Sequence, residues 1–286
     1  MEQGRIGVVG GSGLYEMEGF EGREETTLET PFGPPSDAFV TGTLEGREVV
    51  FLSRHGRGHR INPSEINYRA NIWGMKRLGV EFLIAISACG SLRKEIVPGH
   101  FVVIDQYIDR TKDRDATFFE DGIVAHVMFS DPITAELAEP LATAAEAAGT
   151  TVHRGGTFVC MEGPAFSTRA ESNLYRSWGA DVIGMTNLTE AKLAREAELA
   201  FATLALATDY DCWYEEHGTV TVEEVIRTLN QNVASAKETV RILCRDFPAD
   251  LENPHRGSLK LALLTAPEAI PASAKKRLEL LVGPYL

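Results

Sequence analysis

The sequence predicts an α/β fold with a central mixed sheet flanked by helices. Two observations carry this. Short apolar runs of strand length alternate with alanine-rich or amphipathic stretches of helix length, from Arg5 to about Cys244, and such alternation argues a sheet covered by helices. Several of the runs end in small polar or charged residues. In an open α/β sheet the carboxyl ends of the strands form the mouth where ligands bind.

Size and composition limit what such a fold can be. With 286 residues the chain can bury a sizeable core, as one large domain or two smaller ones. A formal charge of -13 repels phosphate backbones, so nucleic acid is not an expected partner. Any phosphate site must gather positive charge locally against that field. Cys89, Cys160, Cys212 and Cys244 form no CxxC pair. No metal is therefore expected, and scattered thiols fit a reduced, cytoplasmic protein. The start, MEQGRIGVVGG, has no basic stretch followed by a long apolar one. No segment reaches the roughly 18 apolar residues of a spanning helix, so no membrane is expected.

Taken in order, Arg5 to Val9 is a strand that runs into Gly10-Gly11-Ser12-Gly13. Glycines let backbone amides approach an anion, and the Ser12 hydroxyl adds a donor; a plain tight turn would use the same residues. No Lys-Ser or Lys-Thr follows, and position 16 is Glu, so neither a Walker loop nor a dinucleotide fingerprint is present. Glu48 to Ser53 is the next strand and ends in Arg54-His55, where a guanidinium fork and an imidazole donor suit phosphate oxygens, and where a solvated basic turn would carry the same residues. Asn62-Pro63-Ser64-Glu65 has the pattern of a helix start, and Gly79 of its stop. Phe82 to Ser87 is a buried strand followed at once by Ala88-Cys89-Gly90. His100 to Ile104 is another strand, and residues 105 to 130 form a long excursion near whose end His126 lies. Asp131-Pro132 opens an alanine-rich helix closed by Gly149, and Gly156 to Cys160 is a strand leading to Phe166. Ser167 is expected to cap a helix stopped by Gly179. Asp181 to Met185 is a strand ending at Met185-Thr186, followed by a helix from Leu188 to Glu198. Thr221 and Glu224 make a capping box for a helix to about Cys244. Pro, Gly and charge thicken at Asp246 to Gly257, which reads as a linker to a short carboxy-terminal segment.

The apolar run from Thr203 ends in two carboxylates one residue apart, Asp209 and Asp211. If strand geometry persists, both project from one face into one pocket. Crowding and burial raise a carboxyl pKa, which equips such a pair for acid–base work. The same residues would also serve as a loop start with an Asx-turn. Anion donors at four strand ends, with acids at a fifth, suit nucleophilic displacement at a glycosidic carbon.

The motifs GVVGGSGLY, SRHGRGHRINPSEINYRANIW, SACGSLR, DQYIDRT, EGPAFSTRAES, WGADVIGMTN and ATDYDCW, in this order, make the chain resemble the methylthioadenosine phosphorylases of the purine nucleoside phosphorylase superfamily. The resemblance covers about residues 5 to 245. It implies a single nucleoside phosphorylase domain over residues 1–286, with about 250–286 a helical segment. It implies phosphate held by Ser12, Arg54, His55, Ser87, the Ala88 backbone and Thr186. Met185 would pack on the ribose, and Asp209, Tyr210 and Asp211 would meet the purine, with Phe166 flanking it. Ser167, Val222 and Val225 would set specificity, and His126 would come from the neighbouring subunit of a homotrimer. Phosphate is then a co-substrate, and no cofactor is needed. The implied reaction is phosphorolysis of S-methyl-5'-thioadenosine to adenine and 5-methylthioribose 1-phosphate, as in purine and methionine salvage. The chain departs from the family at Ser12 and Ser87, where some members have threonine, at Ala165, where arginine often occurs, and at Asn187 to Glu190. Rival readings are a methylthioinosine or 6-oxopurine phosphorylase, a hydrolytic nucleosidase, and a binding protein without turnover.

Overall fold

Buried apolar runs make the strands, in chain order β1 (Arg5–Gly10), β2 (Phe20–Thr26), β3 (Phe39–Leu44), β4 (Arg47–Ser53), β5 (Val80–Ser91), β6 (Phe101–Val103), β7 (Gln106–Arg110), β8 (Val152–Arg154), β9 (Thr157–Met161), β10 (Val182–Gly184) and β11 (Ala200–Asp209). The helices are α1 (Tyr68–Arg77), α2 (Ala135–Ala147), α3 (Arg169–Ser177), α4 (Asn187–Glu196), α5 (Val222–Asp246), α6 (Leu259–Ala262), α7 (Ala272–Arg277) and α8 (Glu279–Val282). The structure is a computed structural model that describes residues 4–11, 13–14, 16–214 and 222–286, without the side chains of residues 222–225.

All the strands join one mixed sheet, in the order β2-β3-β4-β1-β5-β10-β9-β7, with β11, β6 and β8 branching from β5. Its centre is parallel: β1 lies between β4 and β5, and β11 runs beside β5. β11 is buried along nine of its ten residues, as expected of a parallel strand covered on both faces. Phe39, Phe51, Phe101, Phe158 and Phe201 lie in the same buried cluster as Leu259, Ile270 and Leu278 of the carboxy-terminal segment.

β5 has one interrupted edge. One of its edges pairs with β1 only as far as Ala85. The same edge is taken up by β10 at Gly90 and Ser91, in the opposite direction. Between these partners lies a gap, with Ile86, Ser87 and Ala88 on its rim. Ala88 is exposed within a strand that is otherwise largely buried.

Several elements differ from expectation for local reasons. The strand expected to end at Ser87 continues to Ser91, because β10 and β11 both pair with its far end. Asn62 does not cap a helix; its side chain accepts from the Ser64 amide in a turn, and α1 starts after Asn67, whose side chain accepts from the Ala70 amide. Thr168, not Ser167, caps α3, in a full capping box with Glu171. The alanine-rich helix starts after Thr134 rather than at Asp131. The excursion from residue 105 contains β7, paired with β9. Thr221 of the expected capping box lies outside the described residues.

Candidate active site

Backbone groups along a strand point alternately to its two sides. The Ile86 carbonyl accepts a 3.0 Å hydrogen bond from Arg54 Nη1 on the gap side. Ala88, two residues on, therefore turns its own amide into the gap. Arg54 enters from the end of β4, where its amide donates to the Gly10 carbonyl of β1 at 2.8 Å.

The Arg54 guanidinium is 2% exposed and grips Glu190 of α4, itself 1% exposed, through Nε at 2.5 Å and Nη2 at 2.9 Å. Nη2 also reaches the Val9 carbonyl at 3.4 Å. The fork expected to hold phosphate thus holds a carboxylate, and one Nη1 N–H remains for another acceptor. His55 donates Nδ1–H to the Ile61 carbonyl at 2.8 Å and stacks on His59. Burial, followed by the Arg54 charge, pushes its pKa down to about 4. The neutral ring therefore offers Nε2 as an acceptor, where a second donor was expected. Ser87 keeps its hydroxyl near the Ala88 carbonyl, at 3.4 Å. Thr186 is buried at the start of α4, its hydroxyl 2.9 Å from Asn187 Oδ1. A helix start carries unpaired amides and partial positive charge, which favour an anion.

At the end of β11 the strand geometry stops at Asp209. Asp211 has a left-handed φ of 51°, and its amide donates to Asp209 Oδ1 at 2.7 Å. This is the Asx-turn reading, so the two carboxylates are brought together by a turn and not by strand alternation. They still meet above one spot. A Cβ on Gly90 would lie 3.1 Å from Asp209 Oδ1 and 3.3 Å from Asp211 Cβ. Burial, with a smaller push from the Asp211 charge, raises the Asp209 pKa, although the Thr208 hydroxyl and the Asp211 amide oppose the shift. Asp211 instead accepts from Ser167 Oγ on both oxygens, at 2.9 and 2.8 Å. Tyr210 turns its hydroxyl away to the Lys94 carbonyl at 3.2 Å.

Arg114 is a residue that sequence reasoning missed. Its side chain is 1% exposed and donates to the Met185, Met161 and Glu162 carbonyls and to the Tyr68 hydroxyl. Its only local signal was an arginine within DQYIDRTKDR, which marks no element. Phe166 is 79% exposed, and His126 is exposed on a ribbon whose amide reaches the Ala262 carbonyl. The chain therefore gathers Arg54, Ser87, Ala88 and Thr186 near the gap, and Asp209, Asp211 and Ser167 beyond it. His126 is not drawn into either group. Ser12 and the side chains of Val222 and Val225 lie outside the described residues.

The phosphorylase superfamily profile matches residues 5–245. The chain is 58% identical over 282 residues to the S-methyl-5'-thioadenosine phosphorylase of Geobacter sulfurreducens, covering 98% of this chain and 99% of that one. It is 53% identical to the enzyme of that name from Koribacter versatilis, covering 99% and 97%. The crystal structure of a methylthioadenosine phosphorylase from an antarctic soil metagenomic library superposes with a TM-score of 0.91 at 46% identity, covering 96% of this chain and 98% of that chain. Methylthioadenosine phosphorylase from Schistosoma mansoni in complex with adenine gives a TM-score of 0.85 at 34% identity, covering 91% and 98%. A family match over most of the chain, with relatives more than half identical along nearly the whole of both partners, establishes that the chain belongs to the phosphorylase superfamily.

Proposed function

We propose that the chain is an S-methyl-5'-thioadenosine phosphorylase, a pentosyltransferase that gives adenine and 5-methylthioribose 1-phosphate. The observation that carries this is the buried Asp209, with its raised pKa, beside Asp211 at the mouth of the sheet. The names of the relatives point the same way. An oxygen of phosphate attacks the anomeric carbon as the bond to the purine breaks. Asp209 gives its proton to the five-membered-ring nitrogen that gains charge, which is typically worth about a hundredfold to ten-thousandfold. Asp211 accepts from the exocyclic amine of adenine, and Ser167 Oγ orients that carboxylate. A 6-oxopurine would set an acceptor against an acceptor, at a cost on the order of 1–3 kcal/mol.

Phosphate sits in the gap, on the Ala88 amide, the hydroxyls of Ser12, Ser87 and Thr186, the start of α4 and the remaining Nη1 N–H of Arg54. His55 Nε2 accepts the proton of a phosphate hydroxyl. Met185 faces the sugar, Phe166 and Tyr210 border the base, and Val222 and Val225 line the alkylthio end. No metal or organic cofactor takes part, and phosphate is the co-substrate. The chain acts as one domain in a cytoplasmic homotrimer in which each site borrows His126 from a neighbour. Support for the assembly comes from exposed apolar side chains beside His126: Val124, Met128, Leu261 and Leu264 are 46%, 82%, 91% and 62% exposed. Among the described residues no helix is long and apolar enough to cross a membrane.

The test is product analysis with methylthioadenosine, methylthioinosine, adenosine and inosine, each with and without phosphate. The expected result is phosphate-dependent release of adenine, with methylthioadenosine preferred. Release of base without phosphate would replace this reading with a hydrolase, and preference for methylthioinosine would replace it with a 6-oxopurine enzyme.

A further inference from the structure

The last rung of the β9–β10 ladder joins Cys160 and Gly184. The next residues, Met161 and Met185, have left the ladder, yet Met185 is the residue that faces the sugar in the phosphorylase reading. Something else has to fix it, because buried carbonyls left without donors are costly. Arg114 takes that place. One guanidinium nitrogen, Nη1, donates to the Met185 carbonyl and, at 3.1 Å, to the Tyr68 hydroxyl of α1. The other, Nη2, donates to the Glu162 carbonyl at 2.6 Å and reaches the Met161 carbonyl at 3.5 Å. Nε completes the set at Glu162 Oε1, 3.3 Å away. Both strand ends are thus tied to one rigid plane, which acts as an added rung.

The plane is itself held. The Glu162 carboxylate accepts from the Lys112 amide at 2.6 Å and from the Ser64 hydroxyl. The Arg114 cation lies 5.5 Å from the centre of the Tyr68 ring. On its other side Met185 packs against the β9 turn. A Cβ on Gly163 would fall 2.5 Å from Met185 Sδ, at a φ of +71° that side chains rarely adopt.

We propose that Arg114 is a positioning residue for the reaction: by bridging the ends of β9 and β10 it fixes Met185, and Thr186 after it, against the sugar and phosphate. The proposal rests on the phosphorylase reading for what Met185 touches. The Arg114 nitrogens are all engaged by protein acceptors, so its part in the reaction runs through Met185. Asp209 and Asp211 do not contact it, so the base end of the site should be indifferent to it.

The test is Arg114→Lys, which keeps the charge but offers one compact ammonium in place of a fork spanning several carbonyls. Three readouts are compared with the parent: kcat and KM for methylthioadenosine and phosphate, equilibrium binding of adenine, and the Met185 resonance in protein carrying 13C-methyl methionine. Misplacement by about 1 Å can cost on the order of a hundredfold. The expected result is a kcat at least about tenfold lower, adenine affinity within about twofold, and a shifted or broadened Met185 methyl signal with Met128 unchanged. A parent-like kcat in the folded variant would overturn the proposal. So would equal loss of adenine affinity, which would mark Arg114 as a general support of the fold. If Arg114→Lys does not fold, Glu162→Gln carries the test, because it weakens the carboxylate grip on Arg114 Nε while leaving every residue assigned to the substrates in place. It should show the same split, and parent-like kcat there would also overturn the proposal. A parent that releases no adenine from methylthioadenosine would refute the assigned reaction instead, while the Met185 signal would still test the bridge.

Discussion

Replacing Glu190 by glutamine and replacing Arg54 by alanine break one buried ion pair from opposite sides, and the two should respond to phosphate in opposite ways. Neither side chain is more than 2% exposed. Removing one member of such a pair typically costs about 3–5 kcal/mol, because the other charge stays buried. At about 2–4 °C per kcal/mol for a chain of this size class, either variant should melt on the order of 10 °C below the parent without phosphate. An anion on the remaining Nη1 N–H would sit across one guanidinium from Glu190, a separation on the order of 7 Å. At an effective dielectric of about 20 that is about 2 kcal/mol of repulsion. Glu190→Gln removes the repulsion, so phosphate should bind roughly thirtyfold more tightly and restore much of the lost stability. In Arg54→Ala the buried Glu190 carboxylate repels the anion, and phosphate should bind weakly and stabilise little. Calorimetric titration with phosphate, together with melting curves at rising phosphate concentration, reads both effects. If phosphate raised the melting temperature of both variants as it does the parent's, Arg54 would not face the anion.

At the base end, Asp209→Asn should lower kcat by about a hundredfold to ten-thousandfold. Burial raises the Asp209 pKa, so the parent's kcat should fall as pH climbs through that value, and the asparagine variant should lack this limb. Asp211→Asn should move the ratio of kcat/KM for methylthioadenosine and methylthioinosine by roughly tenfold to a hundredfold, and an unchanged ratio would refute its role as the selector. Glu196, 7% exposed, has its pKa raised from 4.5 to about 7 by burial, while it accepts from the Phe118 amide and the Thr117 hydroxyl. Its contribution is full below about 4.5 and is lost as pH rises through about 7, a difference on the order of 3 kcal/mol. Melting curves between pH 5 and 8 should show the decline, and Glu196→Gln should flatten it. Met128→Glu should turn the assembly into monomers on sedimentation and lower turnover with it; a fully active monomeric parent would remove the argument for a shared site.

The central strands were legible because they are continuous apolar runs with polar stops. β2 and β3 were not. Phe20–Thr26 exposes most of its residues at the sheet edge, so it carries no apolar run. The start of α3 was misplaced by one residue, although Thr168 and Glu171 have the spacing of a capping box. The deciding fact was that the Ser167 hydroxyl is bound to Asp211, 44 residues away. Arg54 was found by its position after a strand. Its engagement with Glu190, 136 residues on, leaves no local trace. Arg114 stands in a run that marks no element, and its partners lie 46 to 71 residues from it. The sequence allows Asp209 and Asp211 to pair by strand alternation or to form an Asx-turn, and it is the turn, with a positive φ at Asp211, that makes the pairing. Local patterns give elements and candidate groups; the partner that occupies each group is a property of the closed fold.

The gap along β5 also makes that strand a ruler. Ser87 and Ala88 stand at its anion end, and Gly90 lies under the two carboxylates at its base end. Three residues of strand from Ser87 to Gly90 measure roughly 10 Å. The same backbone therefore sets the length of molecule that fits between phosphate and base. Shifting the frame by one residue would turn the Ala88 amide out of the gap and carry Gly90 from beneath the acids in a single step. Point substitutions along this stretch can tune the fit, but a one-residue insertion or deletion between Ile86 and Gly90 should erase phosphate and purine recognition together.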